Sequence, residues 1–414
     1  MKAIILSIGD ELTLGQSVDT NSAWLSGRLT AAGVATRYHK TVADDQEAIV
    51  AAVREAAGQA DLVLVTGGLG PTQDDLTRQA LAAVMNRPLD MHPPSLERIR
   101  LFFERLGRDM PPTNRVQALV PRGAEVLEND WGTAPGIKAR LGRATLYAFP
   151  GVPREMQPMF DRHVQPSLQR PGAAGLVTES LRVFGAGEST VAEKLGDLMR
   201  RDRNPLVGTT VSGGIVTVRL RSQFLTREIA LRQLERTAQE VRERLGPLVF
   251  GRGTDTLPEV VGRLAAERGV RVATAESCTG GLLAKLLTDN PGSSAYFLGG
   301  WVTYANAMKT RELGVPESLL DGHGAVSEAV AVAMAEGAAR RSGAEYALAL
   351  TGVAGPEGGS EEKPVGLVWI ALAHRRPDGL GARAECHRFP GDRESVRDRA
   401  AKTALNLLRL ELAR

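Results

Sequence analysis

The sequence predicts a multidomain α/β protein, and three observations carry that prediction. Over residues 1 to about 170, apolar runs of strand length alternate with longer helical patterns, as parallel βαβ units require. The stretch from roughly 176 to 250 reads β-α-β-β-α-β, the split βαβ order of a small α+β unit. Beyond it, apolar runs pass repeatedly into polar or glycine-rich loops, the places where open α/β sheets bind ligands. At 414 residues and 44.2 kDa the chain exceeds one ordinary core, and about two to four domains are expected. Domain limits are read at 1–170, 176–252 and 253–414.

In chain order, strands are expected at 3–8, Leu62–Thr66 and Ala144–Phe149, with helices at 44–57 and 95–106. The start, Met1-Lys-Ala-Ile-Ile-Leu-Ser-Ile8, is too short for a signal segment and runs into Gly9-Asp-Glu11, so it reads as the first strand. Gln169-Arg-Pro-Gly-Ala-Ala-Gly175 reads as a linker. The middle unit has strands at 181–184, 207–211, 215–220 and 248–250, with helices at 189–200 and 226–245; Ser212-Gly-Gly214 turns its hairpin. Gly251-Arg-Gly253 opens the last domain.

Composition narrows the function. Hydrophobic content of 43% with 24% charged residues is that of a globular protein, and no apolar stretch reaches the roughly 18 residues of a membrane span. A net charge of +3 and 4% aromatic residues argue against a nucleic-acid partner. Cys278 and Cys386 are too few for a disulfide framework or a cysteine zinc site, which fits a reducing cytoplasm.

Two loops stand out. Arg271-Val-Ala-Thr-Ala-Glu-Ser-Cys-Thr-Gly-Gly281 puts Ser277 at a strand end and a helix mouth, where unpaired amides suit a phosphate or an oxyanion. An isolated serine there would be only a cap. Thr66-Gly-Gly-Leu-Gly-Pro-Thr-Gln-Asp-Asp-Leu-Thr77 follows a buried-type strand; its glycines admit a phosphate and its aspartates supply hard oxygen ligands. It lacks the Gly-Lys-Ser/Thr of a P-loop, and a glycine turn with acids at a helix start would look the same. With Gly9-Asp-Glu-Leu-Thr-Leu-Gly15 and Pro150-Gly-Val-Pro-Arg-Glu-Met156, three polar loops leave three strand ends, as one crevice requires.

The C-terminal motifs resemble those of the CinA (competence/damage-inducible) family. They are Ala275-Glu-Ser-Cys-Thr-Gly-Gly281, Val302-Thr-Tyr304 with Asn306 and Lys309, His323-Gly-Ala-Val-Ser-Glu328, Thr351-Gly352, Ala354-Gly-Pro-Glu-Gly-Gly359, Glu362-Lys-Pro-Val-Gly366 and Gly391-Asp-Arg393. The N-terminal loops resemble the molybdopterin-binding MogA/MoaB/MoeA-like domain of the same family, and the middle resembles its KH-like connector. Gly185-Ala-Gly187 departs from the Gly-x-x-Gly clamp of a working KH module, so that piece reads as structural.

The resemblance implies nicotinamide mononucleotide (NMN) deamidation by the last domain without a cofactor. It also implies metal-dependent ADP-ribose hydrolysis by the first, with Mg, Mn or Co, and a homodimer. For deamidation Ser277 is the nucleophile, ahead of Cys278. Lys309 is the base, because Lys285 lies about 12 Å along its helix, and Tyr304 relays or orients the proton. Thr279, Gly280, Gly281, Asn306, Thr351, Gly352, Gly355 and Arg393 are expected at the nucleotide, the amides of 278–281 forming the oxyanion hole. In the first domain Gly67, Gly68, Gly70, Thr72 and Asn21 are expected at substrate. Asp74 and Asp75, then Asp10 and Glu11, are expected at metal. Acyl-enzyme and direct-water routes both remain open. The rival reading is a non-catalytic pterin- or nucleotide-binding protein, or a competence-associated scaffold with at most one active domain.

Overall fold

A computed structural model describes residues 1–168 and 175–414; most of the expected linker, 169–174, lies outside the described residues. The chain divides into two compact units, Met1–Thr178 with Arg221–Leu234, and Glu179–Leu220 with Glu235–Arg414.

The first unit carries a six-stranded sheet in the order Ala35–Val42, Lys2–Ile8, Leu62–Thr66, Ala144–Phe149, Gly136–Leu141, Glu125–Leu127. The first four strands are parallel and the last two antiparallel. Alternation sorts the side chains by face. Ile4, Leu6, Val63 and Val65 face one core with Ile49 and Val53 of the Gln46–Gln59 helix. Ala3, Ile5, Leu62 and Leu64 face the other with Leu25, Leu29, Met156 and Phe160. Two helices start off the expected positions for local reasons. One begins after Asp45, whose carboxylate caps Ala48 N at 2.8 Å. Another begins at Pro93-Pro94, where missing N–H groups cost nothing.

The middle segment follows the expected order, with strands Gly175–Val183, Leu206–Ser212, Ile215–Phe224 and Val249–Arg252 and helices Glu188–Leu195 and Arg227–Leu245. The first of these helices stops earlier than expected, tightening into a 3-10 turn at Gly196–Met199.

In the last domain the sheet order is Phe297–Val302, Val272–Glu276, Tyr346–Gly352, Leu367–Arg376, Gly379–Arg388. The first three strands are parallel and the last two antiparallel. One face is nearly all alanine (Ala273, Ala275, Ala347, Ala349, Ala371, Ala373) and packs on the alanine-rich Glu328–Ser342 helix. The other face, with Val272, Leu348, Leu350 and Ile370, packs on helices Leu257–Arg268 and Arg393–Leu412. Glu276 pairs with Val302 and Leu350, so Ser277 emerges between two parallel strand ends.

Candidate active site

At the C-terminal site, Ser277 is 9% and Lys309 1% exposed. The Phe297–Val302 strand ends two residues before Tyr304, and the carbonyls of Thr303 and Tyr304 turn toward Lys309. Lys309 Nζ lies 2.8 Å from Thr303 O, 3.1 Å from Tyr304 O and 3.2 Å from Ser277 Oγ. Burial holds its pKa below the ordinary 10.5 of a lysine.

Glu276, to which the sequence reading gave no role, organises the loop. Its buried carboxylate accepts from Gly281 N (3.1 Å), Leu283 N (3.0 Å) and Ala284 N (2.8 Å). This corrects the oxyanion-hole expectation. Gly281 N is taken by Glu276 and Gly280 N donates to Ser277 O, so of these four amides only those of Cys278 and Thr279 are not spent on another residue's oxygen; both approach the Cys278 thiol. The loop is braced by Arg397, another residue the sequence reading missed, which donates to Thr279 O at 2.7 Å. Cys278 is buried and its thiol is pushed up to about 11 by that burial, so its thiolate is scarce.

Tyr304 departs from its expected part. Its side chain is 62% exposed, and its hydroxyl accepts from Arg393 Nη2 at 3.2 Å rather than meeting Ser277 or the Lys309 amine. Only its carbonyl touches Lys309. Arg393 also donates to Gly355 O at 2.8 Å, which ties the glycine loop to the Tyr304 turn. Thr351 is buried with its hydroxyl on Ala325 O at 2.7 Å, so it positions its strand end rather than presenting a donor. Gly352 packs tightly against Leu367 O. Asn306 is exposed at the start of its helix.

In the first unit the three expected loops do converge. Ile8, Gly9, Glu11, Asp44, Gly67, Gly68, Gly70, Thr72, Asp74, Asp75, Pro150, Gly151 and Glu155 are among the residues lining one crevice of about 560 Å³. Gly67 has φ +102°, and a Cβ there would sit 2.1 Å from Ile8 O, so only glycine lets the loops approach this closely. Asn21 fastens them, donating to Thr66 Oγ1 at 3.1 Å and Gly151 O at 2.7 Å. Its amide is therefore a buttress rather than a substrate donor.

Of the expected metal ligands, Asp75 is spent on the backbone and Asp10 does not line the crevice. Asp75 accepts from Gly70 N at 2.6 Å and Thr72 N at 2.8 Å, and from the Thr72 hydroxyl. It shapes the loop and removes Gly70 and Thr72 amides from substrate. Asp10 and Asp44 exchange hydrogen bonds, Asp10 N to Asp44 at 2.8 Å and Asp44 N to Asp10 at 3.0 Å. Gly67 N donates to Phe149 O, leaving Gly68 and Leu69 N–H without an acceptor among the described residues. Glu11, Asp44 and Asp74 still face the crevice. Asp44 is raised above the ordinary carboxylate range, first by burial and then by the neighbouring charges of Asp10, Glu11 and Asp74. Among the described residues no three acidic, histidine or cysteine side chains come close enough together to hold a metal by themselves.

Arg78, unmarked in the sequence reading, and Glu155, given no role of its own within the Pro150–Met156 loop, complete this site. Arg78 is buried behind the loop, donating to Leu69 O (2.6 Å), Gly70 O (2.5 Å) and Val116 O (3.2 Å), its pKa drawn down to about 10 by burial. Glu155, raised by burial, accepts from Asn129 at 2.8 Å. An isolated arginine or glutamate within a helical pattern gives the sequence no reason to single it out.

Fold and geometry thus define a three-part α/β chain with a buried serine–lysine pair in one domain and a glycine-loop crevice in another. The comparisons give this class its family. Residues 254–412 match the CinA C-terminal domain family model, 4–170 the probable molybdopterin binding domain, and 178–251 the damage-inducible protein CinA KH domain. A competence-damage inducible protein of Symbiobacterium thermophilum is 46% identical over 99% of this chain and 98% of its own. A CinA-like protein of Geobacter sulfurreducens is 44% identical over 100% and 99%. Among solved structures, the competence/damage inducible protein of Agrobacterium tumefaciens is 42% identical over 39% of this chain and 98% of its own, with a TM-score of 0.36. The chain belongs to the CinA family.

Proposed function

We propose that the C-terminal site hydrolyses the carboxamide of a nicotinamide nucleotide, converting NMN to nicotinate mononucleotide and ammonia. The observation that carries this reading is the buried Lys309 amine 3.2 Å from Ser277 Oγ. A neutral amine has two N–H groups and one lone pair. With the N–H groups on the Thr303 and Tyr304 carbonyls, the lone pair is left for the Ser277 proton. Burial makes that neutral form accessible.

Ser277 Oγ attacks the carboxamide carbon while its proton passes to Lys309 Nζ. Negative charge develops on the amide oxygen, against the Cys278 and Thr279 N–H groups. Lys309 returns the proton to the departing nitrogen, ammonia leaves, and water, deprotonated by the same amine, cleaves the acyl-enzyme. The cationic pyridinium withdraws electrons from the carboxamide, so a serine without a histidine suffices. In the competing route Ser277 only positions an attacking water; a trapped acyl-Ser277 would decide between them. The test of the reading is ammonia release from NMN by wild type, Ser277→Ala and Lys309→Met. No release by folded wild type at any pH sinks it.

A separate observation favours a second activity: the convergence of three strand-end loops on one crevice with two free loop amides and an electropositive brace at Arg78. This suits diphosphate hydrolysis, with ADP-ribose giving AMP and ribose 5-phosphate. Gly68 and Leu69 N–H would bind phosphate, and Glu155 would take a proton from the attacking water. One or two of Glu11, Asp44 and Asp74 would hold a divalent ion jointly with substrate phosphates and water, as Mg²⁺ is commonly bound. When bound, such an ion offsets the charge of the diphosphate. ADP-ribose turnover that a chelator abolishes and added Mg²⁺, Mn²⁺ or Co²⁺ restores is the expected result. The non-catalytic pterin- or nucleotide-binding reading stands only if neither substrate is turned over, and the scaffold reading only if at most one is.

A further inference from the structure

The last helix, Arg393–Leu412, serves two neighbours at once. On one side Arg393 and Arg397 reach the Tyr304 turn and the Ser277 loop. On another, Arg399, Lys402, Asn406 and Arg409 recur at the three- and four-residue steps of a single helical stripe. That stripe meets the middle segment. Lys402 Nζ donates to Gly213 O at 2.9 Å. A Cβ at Gly214 would lie 3.9 Å from Arg399 Cγ, and one at Gly185 would lie 3.8 Å from Asn406 Nδ2. Arg409 donates to Pro247 O at 2.6 Å. Gly213 and Gly214 have φ of +54° and +75°, so a tight hairpin turn presents its backbone, not a side chain, to Lys402. Phe184, Ile215 and Phe250 of the middle segment share one apolar core with Val396, Ala400, Ala404 and Leu407 of the helix. All of these residues belong to the second compact unit.

Arg397 connects the two sides. Its Nη2 donates to Thr279 O at 2.7 Å and lies 3.4 Å from where a Gly280 Cβ would be. Its Nε is buried without a partner among the described residues. Fixing Thr279 O fixes the planar peptide it shares with Gly280 N, and that N–H donates back to Ser277 O at 3.1 Å. The turn that carries the nucleophile is thus held from the helix side. An arginine can hold that plane only where its helix lies. Lys402 lies five positions beyond Arg397, roughly 7.5 Å along the axis, so the grip on the hairpin sets where the guanidinium sits.

We propose that the middle segment is a working part of the C-terminal site: it seats the last helix, and Arg397 is the positioning residue through which that seating fixes the Ser277 loop. The proposal rests on the deamidation reading for what the loop does, but not for how the loop is held.

Amide hydrogen exchange across residues 277–284 of the full chain reads the loop directly and needs no turnover. Arg397→Met is expected to speed exchange there on the order of tenfold. The same variant should lower kcat for ammonia release from NMN about ten- to a hundredfold, with KM close to that of wild type. Arg397→Lys keeps the charge and should recover part of both. Lys402→Met, which leaves the site residues in place, is expected to speed loop exchange about threefold, and Arg409→Lys should act in the same direction. Asp398→Asn breaks the 2.8 Å pair that Lys402 makes within its own helix but spares the Gly213 contact, so its loop should exchange as in wild type. Combining Lys402→Met with Arg397→Met separates a seat from general loosening. If the hairpin acts through Arg397, the double variant exchanges no faster than Arg397→Met alone; effects that add in full mean two independent losses and overturn the proposal. Loop exchange unchanged in both Lys402→Met and Arg409→Lys overturns it as well. A loop that responds as expected in a chain that never deamidates NMN refutes only the deamidation reading.

Discussion

Around Ser277 the group bonded to the hydroxyl is a buried amine with no acid bonded to it, the Glu276 carboxylate being spent on the loop amides, whereas the Gly67–Asp75 crevice gathers carboxylates that repel one another. The first arrangement stores its reactivity in desolvation: Lys309 loses affinity for its proton because water is excluded. The second leaves negative charge to be balanced by whatever binds. Both sites lie at the ends of parallel strands, yet one holds a buried amine–hydroxyl contact and the other a group of carboxylates. The difference teaches that glycine-loop geometry alone does not say where catalytic charge comes from.

Substitution of the buried pair breaks the comparison most severely. Ser277→Ala is expected to reduce ammonia release to background and Lys309→Met to lower it about 10²- to 10⁴-fold, the usual share of a general base. ADP-ribose turnover should be untouched in both. Next come the two acids that each site spends on its own loop. Glu276→Gln and Asp75→Asn weaken hydrogen bonds from several backbone amides, and about 1–3 kcal/mol of stability should be lost in each case by denaturant titration. Equal losses would show that the two loops are held alike despite their different chemistry.

The pH dependence sharpens the contrast further. Lys309 has a folded pKa below its unfolded value, so between the two the unfolded chain binds more protons and stability rises with pH. The stability of wild type relative to Lys309→Met should therefore increase as pH rises through the folded pKa and level off near the unfolded 10.5. Deamidation should climb over the same acid limb. A flat difference would mean that the amine is not desolvated. The smallest effect belongs to Cys278→Ala. With the thiol held near 11, deamidation should change by no more than about twofold, and a collapse would transfer the nucleophile to sulfur.

Much of the fold was legible because periodicity reports burial. The Leu62–Thr66 and Ala144–Phe149 strands fall where their apolar runs place them, and the split βαβ order survives with altered ends. Ser277 and Lys309 were legible as a pair only through their motifs; a sequence separation of 32 says nothing of a 3.2 Å contact. What failed were assignments that hinge on which polar atom meets which. Asp75 and Asp10 look like free ligands in sequence, but a carboxylate at a loop start is equally able to satisfy nearby amides. Tyr304 was misread for a related reason. Its carbonyl, which every residue type carries, does what the hydroxyl was expected to do. Arg78 and Arg397 act through backbone carbonyls brought near by tertiary packing, a relation no local pattern encodes.

The bracing of the Ser277 loop has a temporal consequence. Arg393 and Arg397, four residues apart and so on one face of the last helix, hold the Tyr304 turn and the Thr279 carbonyl, the latter across 118 positions of chain. During synthesis Ser277 and Lys309 leave the ribosome before these arginines do, so the Ser277 loop gains its clamp only once that helix has docked.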